Sequence, residues 1–280
     1  MGVNSGTGEL KQVLLSQPTN VQKGEQLNEI AKKWEISTID EALVKQEFYR
    51  LQTLYTELGI DVKIATPAET MPHAVFARDL GGCVKEGVIL GNFAREIRKS
   101  ETEFFHSVLE TLAIPIIGEI TGAGTFEGGD FAFLNEHTIA VGLLDRTNQE
   151  GYRQLQEILE PLGYRLHAVP MNPDYLHLDM CFNLVTPDIA IAYSKGLPAP
   201  FLELLDELGI TLIEGPESEV FTHGYNVQSL GNRQVISLAQ NTTINEKMRQ
   251  KGLTVHEVAI TETLKLGGGV HCMTFPLQRL

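Results

Sequence analysis

Cysteine is scarce in this chain. Three occur in 280 residues, Cys83, Cys181 and Cys272, an odd number without paired spacing. A disulfide framework of the kind that staples small secreted folds is excluded, and the thiols are expected to be reduced. Long apolar runs are missing too: stretches such as Ile114 to Ile117 fall far below the roughly 20 residues that cross a bilayer. No basic-then-apolar leader opens the sequence, so a soluble, cytoplasmic protein without a membrane partner is expected. Positive charge is in deficit, with 22 basic side chains against 36 acidic and a formal charge of −14. That balance speaks against a nucleic-acid partner and permits a small cationic ligand, although acidity of this degree also serves plain solubility.

Against these absences stands a pattern that recurs five times: an amphipathic stretch, then Leu-Gly or a near equivalent, then a short apolar strand often closed by proline. The copies are LQTLYTELGIDVKIATP from Leu51, FHSVLETLAIPIIGEI from Phe105, LQEILEPLGYRLHAVP from Leu155, FLELLDELGITLIEGP from Phe201 and INEKMRQKGLTVHEVAI from Ile244. Their cap positions are Gly59, Ala113, Gly163, Gly209 and Gly252, and glycine there suits the left-handed residue that ends a helix. Between copies lie two further apolar runs, for example DFAFLN and TIAVGLL, so each unit reads as strand, turn, strand, helix, strand.

A unit of this size cannot bury its own apolar face. Five of them around a shared centre give an α/β fold, a five-bladed α/β propeller of pseudo-fivefold ββαβ units in a single domain over residues 1–280. The fifth unit lacks a complete hairpin at the C-terminus, so Leu10–Pro18 is expected to pair with Cys272–Leu277 and close the ring. A doubly wound sheet would also alternate helices and strands, but the paired strands between helices count against it. The segment Gly122–Asp130 has the wrong glycine spacing for a dinucleotide loop and leads into a strand, so no nucleotide cofactor is expected there.

Polar residues gather near the start of the first hairpin strand in four units. They are Arg78 and Asp79 in FARD, Glu127 and Asp130 in FEGGD, His177 and Asp179 in HLDMCFN, and His271 and Cys272 in GGGVHCMT. The remaining unit offers Gly224 and Asn226, to which the sequence attaches no role. In a ring these equivalent positions converge on the axis. Singly, each has a plainer reading: an acid beside glycine caps a turn, His177 between two leucines is a hydrogen-bonded strand residue, and Cys272 is a small buried hydrophobe. Met180 and Phe182 belong to the core.

As a set they suit one chemistry. A guanidinium is flat, cationic and resonance-stabilised, so attack at its carbon needs carboxylates on the nitrogens and a soft nucleophile. The bound cation would help a thiol of ordinary pKa, about 8.5, to ionise. The run Gly267 to Gly269 would let the backbone approach a ligand. Zinc on Cys272, His177, Asp79 and Glu127 lacks the usual short ligand spacing, so no metal is expected.

FARD, GTFEGGD, DRTNQEG, HLDMCFN and GGGVHCMT, in this order along most of the chain, resemble the guanidine-modifying superfamily. Its members are arginine deiminases, dimethylarginine dimethylaminohydrolases and amidinotransferases, and its fold is a five-bladed α/β propeller. The resemblance implies a cofactor-free hydrolase acting on arginine or a close analogue, giving citrulline and ammonia or an alkylamine through an amidino adduct on Cys272. It further implies that His177 is the general acid and base, that Glu127 binds a guanidinium nitrogen and orients the histidine, and that Asp79 and Asp179 grip the guanidinium. Arg98 and Arg146 match the arginines that bind the substrate's α-carboxylate, and Asp130, His73 and Phe76 complete the expected substrate-binding set. Asp179 resembles deiminases and amidinotransferases more than dimethylarginine hydrolases, and Asp79 stands where the dihydrolase branch tends to carry asparagine. Amidino transfer, dimethylarginine hydrolysis and double hydrolysis to ornithine are the alternatives; a non-catalytic binding module is disfavoured. A homo-oligomer is left open.

Overall fold

The computed structural model describes residues 2–280. Periodicity decides the local structure. In α1 (Glu41–Glu57) Val44, Phe48, Leu51 and Tyr55 recur at helical spacing and are buried, while Asp40 accepts hydrogen bonds from the amides of Ala42 and Leu43 and caps the first turn. The same spacing buries Phe105 and Leu109 of α2 (Lys99–Thr111), Leu155 and Leu159 of α3 (Gln149–Leu159), Phe201 and Leu205 of α4 (Ala199–Glu207), and Ile244 and Met248 of α5 (Thr242–Gln250).

All five cap positions have positive φ: Gly59 at 75°, Ala113 at 53°, Gly163 at 92°, Gly209 at 71° and Gly252 at 79°. Ala113 alone carries a Cβ there, and an L-residue in that region costs about 1–2 kcal/mol. Ala113→Gly is expected to stabilise the protein by roughly 0.5–1 kcal/mol once the extra freedom of the unfolded chain is subtracted. A higher urea midpoint at unchanged slope would show it.

The strands assemble into five three-stranded sheets. In the first, β1 (Leu10–Ser16) runs parallel to β2 (Asp61–Ala65). In the other four an antiparallel hairpin is extended by the parallel strand that follows the helix. These are β3 (Gly81–Val84), β4 (Gly87–Leu90) and β5 (Ile116–Glu119), then β6 (Phe131–Asn135), β7 (Thr138–Leu143) and β8 (Arg165–Pro170). They continue with β9 (Phe182–Thr186), β10 (Ile189–Ala192) and β11 (Thr211–Ile213), then β12 (Gln228–Gly231), β13 (Gln234–Leu238) and β14 (Thr254–Val258). The central strands are near-continuous apolar runs because both of their faces are covered. The fold is thus the five-bladed α/β propeller, and the doubly wound alternative falls.

The ring closes through its ends. The last strand, β15 (Phe275–Arg279), pairs antiparallel with β1, Leu14 opposite Phe275 and Val13 opposite Pro276. It begins three residues later than expected, since Val270–Met273 form a turn, and Cys272 is thereby kept out of the ladder. A short helix, α6 (Glu262–Lys265), precedes that turn. The buried carboxylate of Glu47 fixes it by accepting from the amides of Thr261, Glu262 and Thr263. Among the described residues no helix is long and apolar enough to cross a membrane.

The polar clusters lie in turns just ahead of the hairpin strands rather than in the strands. One-turn 3-10 helices span Ala77–Leu80, Gly128–Asp130 and Leu178–Met180. His177 is accordingly not a strand residue. A tight turn points consecutive side chains in different directions, which matters for both cavities described below.

Candidate active site

Cys272 lies 7% exposed in the last of these turns. Its sulfur is 3.3 Å from Asn226 Nδ2, which donates to it, and 3.8 Å from Asp179 Oδ2. Asn226 Oδ1 also accepts from the backbone amides of His271 and Cys272, so this one side chain orients both the turn and the thiol. Burial, with Asp179 and Asp79 nearby, pushes the thiol well above its usual range. At neutral pH and without a cation beside it, the group is a thiol. Asp179 Oδ2 accepts from His271 Nδ1 at 2.8 Å, whereas its Oδ1 is buried without a partner among the described residues.

His177 lines the same pocket as the thiol. Its Nε2 stands 3.1 Å from Glu127 Oε2, and its Nδ1 3.9 Å from Asp79 Oδ1. Burial alone would lower the imidazole's pKa, but Asp130, Asp79 and Glu127 outweigh it and carry it up to about 9. Glu127, despite burial, is held far below the usual carboxylate range by Arg146, His177 and Arg98. Asp130 accepts from Thr147 Oγ1 and from the Leu178 amide, which ties the His177 turn to the preceding blade; burial lifts it to about 7.

The two arginines are already engaged. Arg98 binds Glu101 through Nε and Nη2 and Asp79 Oδ2 through Nη1 at 2.6 Å, with Nη2 also near the His73 carbonyl. Arg146 Nη1 lies 3.3 Å from both oxygens of Glu127, and its Nη2 donates to the Leu27 carbonyl. Holding a substrate carboxylate would therefore require them to exchange partners, which the sequence did not suggest. Asp79 is pushed up by burial against the pull of Arg98, and its Oδ1 has no hydrogen-bond partner among the described residues.

Asp79, Glu127 and His177 bring three ligand atoms within 4.8 Å of one another, closer company than their spacing in sequence implied. Arg98 Nη1, 2.6 Å from Asp79 and 3.8 Å from Glu127, already puts a cation there. A chelator is accordingly expected to leave turnover unchanged.

The pocket, about 320 Å³ with its mouth, is lined by Cys272, His177, Asp79, Arg98 and Arg146, with His73 and Phe76 beside them. His73 is neutral, held at about 3 by burial and by Arg98 and Arg146, and its Nε2 accepts from the Glu25 amide. The segment ahead of α1 thus reaches over the pocket, adding Leu27 and Asn28. Gly267 and Gly268 line the pocket and are also tightly packed: a Cβ at Gly268 would sit 2.2 Å from the Phe76 ring, and one at Gly267, whose φ is +102°, 2.3 Å from Asn28. Sequence reasoning placed Asn226 at the equivalent position of its unit but gave it no role, and it missed Glu101 and Asn28. Of these two only Glu101 left a trace, three residues after Arg98 on the same helical face.

Known proteins share this plan. The chain is 29% identical over 283 residues to an uncharacterized protein, YkgA, of Bacillus subtilis (strain 168), covering 97% of this chain and 93% of that one. An arginine deiminase of Limosilactobacillus reuteri (strain DSM 20016) is 24% identical over 84% of this chain and 68% of its own length. DDAH from Pseudomonas aeruginosa, solved in complex with citrulline, has the same fold, with a TM-score of 0.82 at 24% identity over 96% of this chain and 99% of that one. Fold and relatives together define the class: a hydrolase of the guanidine-modifying superfamily, acting on an amidine carbon–nitrogen bond in the guanidino group of an arginine analogue. Within it, the chain belongs to the family described as N,N dimethylarginine dimethylhydrolase, eukaryotic, whose model matches residues 17–279.

Proposed function

We propose that the chain hydrolyses the guanidinium of arginine or a close analogue through a covalent amidino adduct on Cys272. One observation carries the reading: Asp79 Oδ1 and Asp179 Oδ1 are buried near the thiol with no hydrogen-bond partner among the described residues, two acceptors waiting for N–H donors. A guanidinium held between them reverses the local charge. The thiol then loses its proton to solvent, and the sulfur adds to the central carbon. His177, protonated up to about pH 9, gives its proton to the departing amine. As a neutral base it next takes a proton from the water that attacks the adduct. The carbon–sulfur bond breaks, the thiolate leaves, and a ureido product remains.

The substrate is arginine or an N-methylated arginine, and the family match favours the methylated form as the second reading. Asp179 separates them. An unsubstituted nitrogen offers hydrogens to Asp179 Oδ1, whereas a dimethylated nitrogen offers none. Asp179→Ala is expected to reduce kcat/KM for arginine roughly tenfold more than for dimethylarginine, about the value of one charge-assisted hydrogen bond. An assay of ammonia, methylamines, citrulline and ornithine over both substrates reads the outcome. A larger loss for dimethylarginine would move the assignment to that substrate, and ornithine as the end product would indicate double hydrolysis.

A further inference from the structure

A second cavity, of about 540 Å³ with its mouth, shares no lining residue with the pocket around Cys272. Neighbours in sequence divide between the two. Asp79 and Cys272 line the pocket, while Arg78 and His271 line the second cavity. Arg78 belongs to the FARD motif, yet the hydrolytic reading gives it no part.

Two cations line this cavity, and the nearest carboxylate, Asp179, reaches Arg78 only through His271. Arg279, 3% exposed, donates only to backbone carbonyls, those of Gly8 and Ser229. Arg78 Nη2 lies 3.3 Å from Gln228 Oε1 and 2.7 Å from His271 Nε2, and its Nε is buried with no hydrogen-bond partner among the described residues. Among the described residues neither arginine makes an ion pair with a carboxylate, and no acidic side chain lines the cavity. A buried cation is costly unless paired, and this chain has acids in excess, 36 against 22 basic side chains, yet places none here. Burial and the charge of Arg78 push Arg279 down to about 9, a sign of how unsatisfied the arrangement is.

We propose that this cavity binds a small oxyanion, a carboxylate or a phosphate, between Arg78 and Arg279. Phe131, Phe133 and Pro276 in its walls can pack an apolar body behind the anionic group. The site is wired to the thiol. A guanidinium only donates, so His271 Nε2 accepts from Arg78 and its Nδ1–H donates to Asp179 Oδ2, the oxygen 3.8 Å from the Cys272 sulfur. An anion on Arg78 weakens the positive field at the thiol and makes it harder to ionise.

Thermal unfolding of the full chain at constant ionic strength tests this, with acetate, benzoate and phosphate titrated separately. A saturable rise of about 4–8 °C at fifty times the dissociation constant is expected for at least one of them, and which one responds identifies the anion class. Arg279→Gln should abolish the rise. Leu184→Glu, which supplies an internal carboxylate at the cavity wall, should abolish it too, and decides the matter if the arginine variant fails to fold. Arg146→Gln, in the other pocket, should keep it. Lack of a saturable response to all three anions, an undiminished response in Leu184→Glu, or loss in Arg146→Gln would each overturn the proposal.

Discussion

Cys272→Ser is expected to lower turnover by roughly 10⁴-fold or more while the thermal midpoint stays within about 2 °C of the parent. The fold tolerates the change because the sulfur's contacts, Asn226 and Asp179, are hydrogen-bonding groups that a hydroxyl also satisfies. Chemistry does not tolerate it. A serine hydroxyl beside two carboxylates has a far higher pKa than the thiol it replaces, and the cation of the substrate cannot ionise it. Mass spectrometry of the parent protein quenched during turnover should reveal an adduct of the substrate's mass less the departing amine, an alkylated amidino thioether that the variant lacks. Normal activity in the serine variant would remove the covalent mechanism altogether.

His177→Asn is the second large effect, a loss of about 10²–10⁴-fold in kcat, the usual share of a general acid and base. Both half-reactions suffer, since the same imidazole protonates the amine and later activates water. The pH profile distinguishes this from a structural role. With His177 near 9, the parent's kcat/KM should fall along an alkaline limb near pH 9, and the variant should lose that limb. Stability carries the matching sign. The folded-state pKa lies above the unfolded value of 6.5, so the stabilisation by Glu127, Asp79 and Asp130 is complete below about pH 6.5 and disappears as pH rises through about 9. A parent whose denaturation midpoint did not drop across that window relative to His177→Asn would contradict the charge assignment.

The repeat was readable because short-range sterics wrote it. A residue that ends a helix with positive φ announces itself as glycine, and the one exception, Ala113, is recognisable from its place in the series. The pairing of β1 with the C-terminal strand followed from counting hairpins, although the strand starts at Phe275 so that Cys272 can occupy a turn. Asp79, Glu127, His177, Asp179 and Cys272 were readable as a set, because equivalent points of a ring meet at its axis.

What the amino-acid order settled by itself was therefore the helices, their caps, the five-unit ring and the kinds of side chain at its hub. Only the tertiary structure decided the pairings among them. It set Arg98 on Asp79 and Glu101, aimed the amide of Asn226 at the sulfur, and turned Arg78 and His271 toward a second cavity while Asp79 and Cys272 face the first. The reason lies in range. Helix and cap preferences act within one turn of chain, whereas Asn226 and Cys272, 46 residues apart, or Arg78 and His271, 193 apart, meet only after five blades have closed.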